Sequence, residues 1–224
     1  MAIHYTFHRE IERLKARFLV LSTLVEDRVR KACTVIETHD PSLINALLTS
    51  DWEVDEMEIE IEEECLKILA LHQPVARDLR LLVAIIKINN EIERIGDIAV
   101  NIAKRVDTIN HHITRDFQHD YGPMCERAVT MLKMSLDAMV QQDGDLARRV
   151  FLVDEEVDRF RNEAYNDVIE AMDHSTGHAS YLLNTYLLAR HLERIGDRAK
   201  NIAEEVIYLV EGEIVRGDHG GEKV

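Results

Sequence analysis

The chain has 224 residues, with 42 acidic against 27 basic side chains and a formal net charge of −15. That balance argues against wrapping nucleic acid or lying on an anionic membrane, and it suits cations or basic partner surfaces instead. With 46% hydrophobic residues and only 3 prolines and 9 glycines, the composition predicts a helical protein with a real core, as one large domain or two of about a hundred residues each.

Taken in chain order, the N-terminal stretch MAIHYTFHREIERLK carries no apolar segment of signal-peptide type. Helical periodicity then predicts six long helices, near 8–38, 42–72, 75–108, 117–141, 145–172 and 178–211. Asp40-Pro41 fits an N-cap followed by proline in the first turn, and Gln73-Pro74 separates the second helix from the third. The run QQDGD at 141–145 is the counterpart of THDPS at 38–42. Helices of this length would be roughly 45 Å long. The polar, His-rich stretch NHHITRDFQHDYGP joins two triplets of helices. His111, His112 and His119 within it read as loop residues rather than metal ligands. No apolar run approaches the roughly 18 residues needed to span a bilayer. Cys33, Cys65 and Cys125 are widely spaced and form no Cys-x-x-Cys pair, which predicts structural thiols and a cytoplasmic location.

The two triplets are copies of one unit. Asp40, Leu43, Asp51, Val54 and Asp55 match Asp143, Leu146, Asp154, Val157 and Asp158 at a constant offset. The pattern ERIGDxAxNIA then occurs at Glu93–Ala103 and again at Glu193–Ala203. The offset drops by three residues before the third helix, implying a shorter loop in the second copy. Self-similarity on this scale predicts an all-α fold of two tandem three-helix bundles. The units are 1–110 and 123–212, with a junction at 111–122 and a tail at 213–224.

Residues four apart on a helix differ in direction by only about 40°. In the third helix, Leu81, Ile85, Ile88, Ile92, Ile95, Ala99, Ile102 and Val106 form the apolar stripe, so Glu93, Asp97 and Asn101 point away from it. Glu193, Asp197 and Asn201 likewise point away from Leu188, Leu192, Ile195, Ala199, Ile202 and Val206. Gly96 and Gly196 lie mid-helix at a cost of about 1 kcal/mol against alanine, which implies close approach of a neighbouring helix or a ligand. The preceding helix carries a second acidic pair, Asp51 with Asp55, repeated as Asp154 with Asp158. A single such pair reads as a solvated acidic stripe. Four at matching positions of a duplicated unit favour a cation, since carboxylates and amide carbonyls are the donors hard or borderline metal ions take. Met131, Met134 and Met139 fall on or near the inward face of the fourth helix and read as core, and Trp52 as a packing or interface residue. No Gly-rich phosphate loop, Gly-x-Ser-x-Gly or His-Glu-x-x-His occurs, so the residues predict no enzyme.

QPVARDLRLL at 73–82, EIERIGDIAVNIA and HLERIGDRAKNIAEEV together resemble the PhoU family of phosphate-signalling regulators, over nearly the whole chain. The resemblance implies two similar three-helix bundles in tandem. It implies carboxylates that, in some members, hold iron or zinc clusters on the bundle surface. By matching position these are Asp51, Asp55, Glu93 and Asp97 in the first unit and Asp154, Asp158, Glu193 and Asp197 in the second, to which helical geometry adds Asn101 and Asn201. The second unit has HSTGHASYLL where the first has the QPVARDLR stretch, so weaker metal binding is expected there. The resemblance further implies a cytoplasmic, non-enzymatic negative regulator between the phosphate ABC transporter ATPase and a sensor histidine kinase. Homodimers or higher homo-oligomers are expected, with no nucleic acid and with the membrane reached only through partners.

Two readings from other classes stand beside it. A metal-free helical adaptor would use the acidic faces to bind basic partner surfaces. A carboxylate-bridged di-iron enzyme would need Glu-x-x-His pairs pointing into a bundle core, and the chain contains none.

Overall fold

Helices start and stop where local chemistry dictates. The computed structural model describes residues 2–50, 52–112, 117–174 and 178–212, which form seven helices and no strand. These are α1 (Ala2–Thr38), α2 (Pro41–Thr49), α3 (Trp52–His72), α4 (Ala76–Asn110), α5 (Gly122–Gln141), α6 (Gly144–His174) and α7 (Ala179–Glu211). Asp40 caps α2 by accepting from the Ser42 N–H at 2.8 Å, with Pro41 in the first turn. Asp143 does the same for α6, accepting from the Leu146 N–H at 2.9 Å. The residues just before these caps, His39 and Gln142, both adopt left-handed backbone, with φ of 54° and 52°. One turn design therefore appears twice.

The second helix of the first unit comes in two pieces, α2 and α3, whereas its counterpart α6 is continuous. Arg28, buried on α1, donates a hydrogen bond to the Ser50 carbonyl at the end of α2. That carbonyl is thereby drawn to a side chain at the point where the helix is interrupted. The counterpart of Arg28 in the second unit is Met131, which has no such donor. Asp51 and the tail at 213–224 lie outside the described residues.

Helices α1 to α4 make one bundle and α5 to α7 the other. The two are joined along α4 and α7, which pack antiparallel. The direction follows from the cross-pairs: Lys87 to Glu205 at 2.9 Å, Glu91 to Arg198 at 3.2 Å, and Arg105 to Asn184 at 2.9 Å. All the residues of both predicted apolar stripes are buried in a core that continues from one bundle into the other. Met131 and Met139 are buried and Met134 half-buried, as their positions predict. The junction histidines serve the fold: Nδ1 of His119 lies 2.7 Å from Asp167, Nδ1 of His111 lies 2.7 Å from the Asp107 carbonyl, and His112 packs on Tyr181. Among the described residues no helix is long and apolar enough to cross a membrane.

At neither mid-helix glycine is the middle helix of the bundle too close for a side chain, contrary to the expectation from sequence; the one tight neighbour is Met131 of α5 at Gly196. A Cβ on Gly96 would lie 3.5 Å from Val54 Cγ1, and one on Gly196 would lie 3.6 Å from Val157 Cγ1 and 3.2 Å from Met131 Sδ. Val54 and Val157 are equivalent positions next to the acidic Asp55 and Asp158, so the contact sets the carboxylates of adjacent helices side by side. Gly96→Ala meets only ordinary contact distance and gains helix propensity, so thermal unfolding should show it stabilised, by up to about 1 kcal/mol. Gly196→Ala must displace the Met131 thioether and should gain less or nothing.

Candidate metal centre in the first unit

Asp55 comes from α3, and Glu93 and Asp97 come from successive turns of α4. One carboxylate oxygen from each lies within 4.8 Å of the others. Asp55 and Asp97 are exposed and Glu93 is half-buried. Burial, together with the charges of Asp97, Asp55 and Glu58, pushes the Glu93 carboxyl up to about 6, and Arg94 offsets only part of this. Burial also raises Glu58 on the next turn of α3, aided by Glu62 and Asp55. Negative charge is thus crowded at this spot, and three oxygens converge on a volume suited to one or more hard or borderline cations. The residues present fit such an ion. Asn101 is half-buried one turn beyond Asp97, outside the triad.

The second unit solves the same crowding differently. Lys200 Nζ lies 2.6 Å from Asp154. Arg161 lies 3.4 Å from Glu193 and 3.8 Å from Asp158, and Arg190 donates to Glu193. The expectation that Glu193 faces outward is therefore corrected: it is only 6% exposed, covered by two guanidinium groups from α6 and its own helix. Partial burial of the carboxyl and the neighbouring Glu193 and Asp154 raise Asp197, with Arg190 opposing. Asn201 is turned to the other bundle, where its amide donates to Glu91 at 3.3 Å. Side-chain cations already occupy this cluster, so it does not fit a metal as the first does.

Sequence reasoning about the motif alone missed the three cations. Their signal lies in comparing the copies position by position: Arg161, Arg190 and Lys200 stand where the first unit has Glu58, Asn90 and Val100.

These environments give opposite responses to charge removal. Without metal, Glu93→Gln should raise stability at pH 7.5 in chemical denaturation, because it removes a carboxylate the fold disfavours. Glu193→Gln should lower it by about 2–3 kcal/mol, because two guanidinium groups lose a buried partner. The folded pKa of Glu93 lies above its ordinary value of 4.5. The folded chain therefore keeps a proton that the unfolded chain has lost, and the Glu93 contribution to metal-free stability is lost as pH rises through about 6. The Gln variant should lack that pH dependence.

Comparison with known proteins places this geometry. A family profile described as "PhoU domain" matches twice, over residues 18–106 and 122–206, one match in each bundle. A phosphate-specific transport system accessory protein PhoU homolog of Pseudomonas aeruginosa is 36% identical over 219 residues, covering 96% of this chain and 89% of the relative. The Escherichia coli accessory protein PhoU is 31% identical, covering 96% and 90%. Among solved structures, PhoU from Pseudomonas aeruginosa superposes with a TM-score of 0.85 at 36% identity, covering 92% of this chain and all of that one. The phosphate transport system regulatory protein PhoU from Streptococcus pneumoniae also reaches 0.85, at 26% identity and with 93% and 99% covered. Two profile matches that coincide with two bundles, and identity over nearly the full length, show that the chain belongs to the PhoU family.

Proposed function

We propose that this protein is a cytoplasmic, non-enzymatic negative regulator of phosphate uptake and phosphate-starvation signalling. In this reading it is an adaptor between the ATPase of a phosphate ABC transporter and a sensor histidine kinase, and works as a homodimer or higher homo-oligomer. The observation that carries the reading is full-length similarity to proteins named as accessory to the phosphate-specific transport system. The absence of a membrane-crossing helix among the described residues accords with contact to the membrane through partners only.

The first-unit triad adds a proposed cofactor, an iron or zinc ion or small cluster held by Asp55, Glu93 and Asp97, with Asp51 and Asn101 as further donors. Such an ion would neutralise the carboxylates and tie α3 to α4. The triad lies on the surface between two helices rather than inside a bundle core, which favours a structural or signalling role over di-iron oxidation chemistry.

A metal-free adaptor is the second reading, and one observation favours it. Trp52, Ile59 and Leu66 lie seven residues apart on α3 and are 62%, 55% and 52% exposed. They form a stripe between acidic side chains of the same helix, a surface suited to an apolar partner face rimmed with basic residues.

Elemental analysis of protein purified without chelator or affinity metal separates the two. Bound iron or zinc should be lost in Asp55→Asn/Asp97→Asn and kept in Asp158→Asn/Asp197→Asn. No metal in the wild type would leave the metal-free adaptor. Failure of the transporter ATPase and the kinase to co-purify with the wild type would sink the adaptor proposal itself.

A further inference from the structure

Two of the three cysteines meet across the boundary between the bundles. Cys33 on α1 and Cys125 on α5 are 8% and 4% exposed, and the Cys33 thiol is close enough to raise the pKa of Cys125. Both line a groove of about 560 Å³ between α1 and α5, with Met134 in the same wall. Cys65 lies apart, fully buried on α3. None of these residues belongs to the carboxylate triad or to the ion pairs of the second unit.

Two neighbouring buried thiols, with the Glu37 and Asp120 carboxylates close by, are poorly placed to hold two negative charges. The neighbouring Cys33 thiol, and then burial, hold Cys125 well above the ordinary thiol range. A cation between the sulfurs changes this. Two protons leave, two sulfur–metal bonds form, and a monovalent ion leaves one net negative charge shared over the complex where two bare thiolates would carry two. Thiolate and thioether donors select soft ions of the Cu(I) type over the hard ions that oxygen donors take. We propose that Cys33 and Cys125, supported by the Met134 thioether, form a site for a monovalent thiophilic cation of the Cu(I) class. Because one sulfur comes from each bundle, an occupied site would also clip α1 to α5.

The test is an anaerobic titration of the full reduced chain with Cu(I) delivered as its bicinchoninate complex. The wild type should withdraw one Cu(I) per chain, release two protons and develop thiolate-to-copper absorption in the ultraviolet. Cys33→Ser and Cys125→Ser should each abolish this, and Cys65→Ser should leave it intact. The Cys125→Ser change is mild for the fold, since the equivalent position in the first unit is the buried Ser22. Far-UV circular dichroism checks that each variant is folded. Met134→Leu should weaken retention by about tenfold, the effect expected of a supporting group around a metal. The proposal is overturned if the wild type withdraws no more copper than folded Cys125→Ser, or if Cys65→Ser removes the binding.

Discussion

The antiparallel contact of α4 with α7 is the constraint on which the rest of the structure depends. Each of these helices uses its apolar stripe to complete its own bundle, and each also faces the other across the molecule. A helix recruited on two sides has little circumference left for solvent. Glu93 and Glu193 lie on the remaining side, against the middle helix of their own bundle, and end half-buried beside Asp55 and buried beneath Arg161 and Arg190. The carboxylates are thus held where water screens them poorly and like charges cost most.

Duplication gave both bundles this electrostatic difficulty, and the copies answer it in different ways. In the second, guanidinium and ammonium groups from Arg161, Arg190 and Lys200 sit within ion-pairing distance of the acids. In the first, the same positions hold a carboxylate, an amide and an alkyl group, and the acids are left to raise one another's proton affinity. The inversion extends to the seam between the bundles. A groove of about 570 Å³ is lined by Glu58, Glu62, Glu91, Glu204 and Glu205 with Lys87. The equivalent positions on the other side of the pseudo-two-fold carry Arg161, Tyr165, His191, Lys104 and Arg105. His191 shows the consequence: burial and the charges of Arg194 and Arg105 hold its imidazole down to about 4, so it stays neutral where its counterpart Glu91 is paired with Arg198.

Much of this was legible in the sequence because it rests on periodicity and short-range chemistry. The helices, the Asp40 and Asp143 caps and the tandem copies follow from spacing along one or two helices, whereas the grouping of Asp55 with Glu93 and Asp97 is implied by the family resemblance. What spacing could not reveal depends on contacts from a third element. Arg28 takes the Ser50 carbonyl from across the bundle where the second helix divides. Arg161 reaches Glu193 from α6, and Asn201 turns away from its own unit to Glu91. Cys33 and Cys125 look isolated because 91 residues of chain lie between two side chains that line one groove. Residue-by-residue comparison of the copies recovers the cations, but not these cross-bundle contacts, because they link positions that are not equivalent.

The division between the copies bears on which half can respond to a ligand. A site already neutralised by side chains in place has little free energy to gain from a further cation, since an arriving ion must first displace an ammonium or guanidinium group. A site whose acids repel one another gains the relief of that repulsion in addition to the new bonds, and its occupancy changes the local charge that a partner meets. An ion can shift an equilibrium only by its differential affinity for the states involved. On that ground the first bundle, with its crowded acids beside the exposed Trp52 stripe, is the half whose surface a cation can alter. The second, whose acids already have side-chain partners, offers a cation less.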